Sequence, residues 1–422
     1  MTAPQALVEE RILTQGAGTG KYRDLDVHLA EHGPVPSTPG PALVTLVEQS
    51  GLTGRGGAGF PTARKLAAVA AGSAPVVVAN GAEGEPASSK DRVLLSYAPH
   101  LVLDGLQLAC RAVGAAQAYV YVHEGPLVAH LENLVRARAR RGVDVVVPTV
   151  VAAPARFISG QETAVVSAIN AGPALPTSAA QPVYVKGVDR RPTLVQNVET
   201  LAHLALLARH GASWFRGAGT EREPGTMLCT ISGAVASPGV VEVPIGTDIA
   251  DLLERAGGPS SRLGAVLVGG YHGAWLPAPT AAELAMSVAG LRDAGASPGA
   301  GVLVALGADS CGLVETARAV GYLAQESARQ CGPCMNGLPA MAHALGELAR
   351  ARPTPGLADR VQALALAVDK RGACHHPDGT VRLVRSALRV FAAEVRSHQG
   401  GRCGATDLRP VLPVPAPMAG PR

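Results

Sequence analysis

Apolar positions in the first half of the chain switch repeatedly between two spacings. Leu43, Leu46 and Val47 recur at helical intervals and predict a helix over 41–49, which the glycine-rich run 51–62 ends. Residues 63–71 predict another helix, and the apolar stretch 75–79 predicts a buried strand. The same alternation continues as a helix over 93–113, a strand over 118–122, a helix over 126–141 and a strand over 143–151. This is the pattern of an α/β domain, assigned to 41–224. From Gly225 the runs shorten and glycine interrupts them, at 227–232, 239–243 and 265–268, with one helix at 249–256 between. A small sheet domain is therefore expected at 225–280, within the usual size range for a domain. A connecting segment over 281–312 leads to a helical domain at 313–399, broken at two cysteine sites. Breakers at Gly33, Pro34, Pro36, Pro39, Gly40 and Pro41 make 1–40 an irregular extension, and the Gly/Pro-rich end makes 400–422 a flexible tail.

Composition changes this picture in three ways. Aromatic residues are only 3% of 422, while Gly and Pro number 50 and 33, so Ala, Leu and Val must fill the core. No stretch approaches the ~20 continuous apolar residues of a spanning helix, and the start, with Glu9 and Glu10, lacks a secretory pattern. A cytoplasmic protein without a direct membrane span, at most peripheral to a membrane complex, is expected. A net charge of +4 without interleaved aromatics argues against nucleic acid, and Arg136, Arg138, Arg140 and Arg141 read as a solvated helix end. Seven scattered cysteines fit reduced thiols or metal ligands better than a disulfide framework.

Candidate chemistry gathers at five places. Cys331 and Cys334 form a Cys-x-x-Cys pair with Cys374 downstream, a set suited to an iron–sulfur cluster, to zinc with His375 or His376, or to no metal. Gly54-Arg55-Gly56-Gly57-Ala58-Gly59 contains G-x-G-x-x-G, but a helix precedes it where the dinucleotide fingerprint needs a strand. What remains is a loop whose amides can approach an anion, with Arg55 and Lys65 as added charge, or else a tight structural turn. Asn80, Glu83 and Glu85 follow a strand, where α/β proteins place ligand-facing groups; a solvated acidic loop is the plainer alternative. Glu162 begins a helix, and Gln196 and Asn197 offer amides for a heterocycle or a helix cap.

Taken in order, these motifs resemble the flavoprotein subunit of respiratory complex I and of the related NAD-linked hydrogenases and formate dehydrogenases. Residues 51–62 resemble that family's flavin loop and 80–92 its acidic flavin loop. Residues 157–163 resemble its Tyr-Ile-Cys-Gly-Glu-Glu-Thr stretch, 192–200 its Pro-Thr-x-x-Asn-Asn-Val-Glu-Thr stretch, and 326–334 its cluster segment. The resemblance implies an α/β flavin-binding domain, a β-grasp (SLBB-like) domain and a C-terminal all-α iron–sulfur domain. It implies FMN against Gly54, Arg55, Gly56, Gly57, Ala58, Gly59, Lys65, Asn80, Glu83, Gly160, Gln196 and Asn197. Phe60, Glu85 and Glu162 would face NAD(H), with Glu85 and Glu162 closest to the chemistry. Cys331, Cys334 and Cys374 would hold iron. The implied activity is oxidation of NAD(P)H, with electrons passing through FMN and the cluster to an iron–sulfur subunit or ferredoxin; the alternative is a non-catalytic or rewired assembly subunit.

Several letters depart from the family pattern. Ala82 replaces an Asp, Phe157 a Tyr, Gln161 a Glu and Gln196 an Asn. The Lys-Pro-Pro-Phe stretch expected near adenine becomes Ala179-Ala180-Gln181-Pro182, with Tyr184 the nearest aromatic. Ala328 replaces the first cluster cysteine. That leaves a 3Fe-4S cluster, a 4Fe-4S cluster completed by His375, Cys403 or an outside ligand, or no cluster.

Overall fold

The computed structural model describes residues 11–13, 24–178 and 181–415. The chain divides into two units. In the first, β1 (Val76–Asn80), β2 (Gln117–His123), β3 (Thr149–Ala153) and β4 (Thr193–Asn197) form a sheet in the order β3-β2-β1-β4. Every pairing in it is parallel. A parallel sheet covered on both faces needs apolar residues on both, and β1 supplies them. Val77 and Ala79 enter one core with Leu94, Leu106 and Leu201, whereas Val76 and Val78 enter another with Tyr121, Val165 and Val195. Helix Pro99–Val113 crosses helix Val198–Arg216 at Gly105, where a Cβ would stand 1.9 Å from the Leu201 carbonyl oxygen. Only glycine allows that approach.

Several expectations need correction here. The run predicted as one helix over 93–113 is two, Lys90–Tyr97 and Pro99–Val113, bent by 96° at Ala98. Pro99 accounts for the break: it lacks an amide for the turn behind it and disfavours helical backbone at the residue before it. Among the described residues no single helix is long and apolar enough to cross a membrane. The strand expected over 143–151 begins only at Thr149 and runs on to Ala153, because Pro148 cannot join the ladder. The extension is not wholly irregular. Asp24 caps a helix over Leu25–His32, and the amides of Arg11, Ile12 and Leu13 all donate to buried Glu242. Arg138, expected in solvent, is fully buried between Asp104 and Asp144, at 2.7 Å from each. Asp104 also holds His28 and Arg209; burial opposes its charge, but these partners together draw its pKa down.

The second unit contains the end of β5 (Thr226–Gly233), with β7 (Leu263–Val268), β8 (Ala274–Pro277) and β9 (Val302–Gly307) beside it. β9 pairs parallel to β5 and antiparallel to β7, and β7 pairs antiparallel to β8. β9 thus supplies an inner strand from the stretch expected only to connect. The remaining strand, β6 (Gly239–Pro244), belongs to the first unit, where Glu242 accepts from Thr226 at 2.5 Å. Helices Gly312–Gln325, Leu338–Ala349, Leu357–Val368, His376–Val390 and Ala392–Gln399 follow, as the helical spacing predicts. The tail is anchored through its described part. Val411 and Leu412 amides donate to Glu315, the Tyr271 hydroxyl donates to Pro413, and Leu412 is buried.

Candidate functional site

Chain order gives the first unit a reversal point. From β1 the chain steps outward through β2 to β3 and then returns to the opposite flank of β1 as β4. Open α/β sheets bind ligands in the crevice at the carboxyl ends of strands flanking such a point. Asn80 and Asn197 end those strands directly opposite one another, and Gln196 lies opposite Ala79.

The glycine loop is closed at its base, with the Gly54 amide donating to Phe60 at 2.9 Å and the Thr62 amide to Leu52 at 3.0 Å. Gly57 and Gly59 have φ of 101° and 62°, which explains glycine there by conformation. Gly54 and Gly56 have no such reason. A Cβ on Gly54 would meet only the Phe60 main chain at 3.6 Å, and one on Gly56 only the Asn197 side chain at 3.4 Å. A methyl group at either position makes only ordinary contacts, so the open space beside the main chain is not explained by the fold's own packing. Phe60 is 46% exposed, with Arg64 5.7 Å over its ring. Arg55 turns inward. Its amide donates to Thr200, its guanidinium donates to Thr53 and to the Pro224 carbonyl, and its Nε is buried without a partner.

Two further loops meet the strand ends. Asn80 donates to the Gly160 carbonyl at 2.9 Å, and Lys65 donates to the Val195 carbonyl at 2.8 Å and pairs with Glu162 at 2.5 Å. Gly84 and Gly160 are packing glycines, since Cβ atoms there would stand 2.1 Å from Phe157 and 2.3 Å from Ala82 main-chain oxygens. Gln161 caps helix Glu162–Ile169. Glu83 accepts the Asp91 and Arg92 amides, so it is held by a helix start rather than merely solvated. Asn197 caps helix Val198–Arg216 and donates to Asp91 at 2.7 Å. Gln196 Nε2 is buried without a partner, a donor suited to a heterocycle's carbonyl or ring nitrogen. Gly54 to Gly59, Lys65, Asn80, Gly160, Glu162, Gln196 and Asn197 are thus gathered in the first unit. Glu85 belongs to the second, where it accepts the Tyr271 amide at 2.7 Å.

Beneath Asn197 lies a charged group that sequence reasoning missed. Lys90 is buried and pairs with Asp91 at 2.7 Å and Glu199 at 2.8 Å. Burial works against its charge, yet Asp91, Glu199 and Glu83 raise its pKa. Glu199, despite burial, is drawn down to about 2 by Lys90, His203 and Arg55. Ser89-Lys90-Asp91-Arg92 reads locally as an exposed helix start; the signal was Glu199, a lone acid in an apolar helix.

In the second unit the predicted thiols come together around a π-helical turn, Pro333–Gly337, a form common at functional sites. Burial raises the Cys331 pKa, but amides of Ala373 and Cys334 hydrogen-bonded to its sulfur hold it below the usual thiol value. Burial and the Cys331 and Cys374 sulfurs push Cys334 up to about 12. Arg329, next to Ala328, has φ of 53°, strain typical of a site over-determined by its surroundings. His376 is turned away to the Leu323 carbonyl and His272, and His375 is fully exposed. Cys403 stands instead with Cys311 and His398. Of the altered adenine stretch, Ala179 and Ala180 lie outside the described residues. Nearby, Thr163, Ser167, Asn170, Thr177 and Lys186 line a cavity of about 280 Å³.

Comparison with known proteins agrees with this geometry. The Nuo51 FMN-binding domain matches residues 47–206, the SLBB domain 228–269, and the NADH-ubiquinone oxidoreductase-F iron–sulfur binding region 315–398. The second F-type subunit of NADH-quinone oxidoreductase in Rhizobium meliloti is 32% identical over 402 residues, 91% of this chain and 93% of that protein. Its counterpart in Streptomyces coelicolor is 30% identical over 85% of this chain and 83% of its own. Among solved structures, an NAD+-reducing NiFe-hydrogenase in the H2-reduced state has a TM-score of 0.76 at 27% identity, covering 88% of this chain and 66% of its own. The air-oxidized state gives a TM-score of 0.79 at 27% identity, over 96% and 70%. With two open glycines at a reversal point of the first unit and a thiol set among the helices of the second, the chain belongs to the family of F-type subunits of NADH-quinone oxidoreductase.

Proposed function

We propose that the crevice at the ends of β1 and β4 holds the FMN of this NADH dehydrogenase-type electron-transfer subunit. The observation that carries the assignment is the glycine pair Gly54 and Gly56, which the protein's own packing does not require. Flavin, when bound, accepts electrons in pairs and releases them singly, which suits it to link a nicotinamide to a cluster. The main chain of 54–59 forms one wall, Gln196 and Asn80 offer amides, and Lys65 stands ready beside Glu162. Lys90 holds Asn197 and Glu199 in place below, so the floor is rigid before any ligand arrives. Phe60 and Glu162 are assigned to the nicotinamide side. Lys186, on the wall of the 280 Å³ cavity, restores a cation where Ala179-Ala180-Gln181-Pro182 has none.

Cys331, Cys334 and Cys374 are assigned as ligands of an iron–sulfur cluster, with amides donating to the Cys331 sulfur as such clusters favour. The small sheet domain is read as β-grasp and as extending through β9 rather than ending at 280. The electron acceptor is an iron–sulfur subunit or ferredoxin, and the location is cytoplasmic. Reconstitution with FMN followed by anaerobic NADH tests the reading: the yellow absorption should bleach. Oxidised flavin that persists with both NADH and NADPH would overturn it.

A further inference from the structure

We propose that Cys311, His398 and Cys403 form a zinc site distinct from the iron–sulfur cysteines. Cys311 occupies the N-cap position of helix Gly312–Gln325, where the chain leaves β9; His398 lies on the last helix, Ala392–Gln399; Cys403 follows the turn after it. Their ligand atoms all lie within 4.8 Å of one another. Cys311 Sγ is 3.5 Å from His398 Nε2. Tetrahedral zinc, with bonds of about 2.3 Å to sulfur and about 2.0 Å to nitrogen, places such a pair about 3.6 Å apart. Glu394, one turn before His398 on the same helix face, brings Oε2 to 3.2 Å from Cys311 Sγ. Two sulfurs and an imidazole supply three donors, Glu394 accepts from Cys311 beside them, and water takes the fourth position of the tetrahedron.

The imidazole is already oriented for this task. Nδ1 lies 3.1 Å from the Leu348 carbonyl, to which it donates, and this leaves the Nε2 lone pair facing the thiols. That second partner, fixing tautomer and ring plane, is the usual companion of a metal-bound histidine. Leu313 likewise donates its amide to Glu394 Oε2. Cys311 and His398 are buried, at 6% and 1% exposure, and exposed Cys403 closes the open side. Thiolates and imidazole together select zinc over magnesium or calcium, and binding releases the two thiol protons. The ion ties the start of the domain to its tail, next to where the Thr406 and Asp407 amides meet the Asp309 carbonyl. It also removes Cys403 from the candidates for completing the cluster.

The test is zinc and iron quantification on the full chain, purified anaerobically from zinc-supplemented medium, with zinc-edge X-ray absorption. About one zinc per chain is expected, with two sulfurs at about 2.3 Å and nitrogen or oxygen at about 2.0 Å. Cys403→Ser, at an exposed position the fold tolerates, should lower zinc content at least tenfold and leave iron unchanged. Cys331→Ser should do the reverse, which separates this proposal from the cluster assignment. Wild-type protein without zinc, zinc retained undiminished in Cys403→Ser, or a Cys311–Cys403 disulfide in the anaerobic preparation would each overturn it.

Discussion

The glycine loop of the first unit and the cysteine segment of the second have diverged with different consequences. Around the proposed flavin crevice Ala82, Phe157, Gln161 and Gln196 all depart from the family letters, yet the walls remain. Gln161 caps its helix and Phe157 meets Gly84 through its main chain. In the second unit a single departure, Ala328, stands where the resemblance places a cluster cysteine. A site built from main chain and small residues tolerates changed side chains, because its shape lies in φ, ψ and open space. A site built from side-chain sulfurs loses a bond with each substitution, since every ligand is a separate donor.

The largest effect that could break this comparison is expected beneath the crevice, where side chains do matter. Lys90→Met leaves Asp91 and Glu199 buried without their cation, and such a loss costs about 3–5 kcal/mol. Chemical denaturation should show it, and a change within 0.5 kcal/mol, the ordinary range for surface sites, would show that the group carries no load.

Acid should expose the same floor. Burial holds His203 at about 4 against an ordinary 6.5, so the unfolded chain binds a proton there first as pH falls. Stability is therefore complete above pH 6.5 and declines as pH falls towards about 4, by on the order of 3 kcal/mol. Glu199, drawn down to about 2, continues the loss below its ordinary 4.5. His203→Phe should flatten the slope between 6.5 and 4 measured by urea midpoints; an unchanged slope would assign it elsewhere.

Ala328→Cys sharpens the contrast directly. Restoring a fourth thiolate should add about one iron per chain and change the electron paramagnetic resonance of the cluster, while flavin content stays constant. An unaltered spectrum would place the fourth ligand elsewhere. The smallest effect belongs to Lys186→Ala, exposed on its cavity wall. KM for NADH should rise about threefold to fivefold, as an exposed ion pair of ~1 kcal/mol allows, with kcat unchanged. A KM equal to wild type would remove Lys186 from the nucleotide site.

Periodicity made the α/β pattern legible, since helix Gly40–Ser50, β1 and β2 follow local spacing. β9 escaped because Gly299, Gly301 and Gly307 bracket its apolar run, which reads as a linker until β5 and β7 flank it. Arg138 reads as solvated because one of its acids, Asp104, lies on another helix. The glycine loop was visible as letters, but only the space around Gly54 and Gly56 separates a ligand wall from a tight turn. The Cys311–His398–Cys403 group was invisible for the same reason as β9: its members come from separate elements that only folding joins.

The central claim, that main chain between Thr53 and Phe60 holds the flavin, is tested most directly by titrating FMN into flavin-free protein and into Gly56→Ala, whose added methyl the fold accepts. Tight, saturable binding is expected of the wild type and at least a tenfold weaker Kd, about 1.4 kcal/mol, of Gly56→Ala at an unchanged Tm. Protein that stays colourless in excess FMN, or equal affinity in the two proteins, would contradict it.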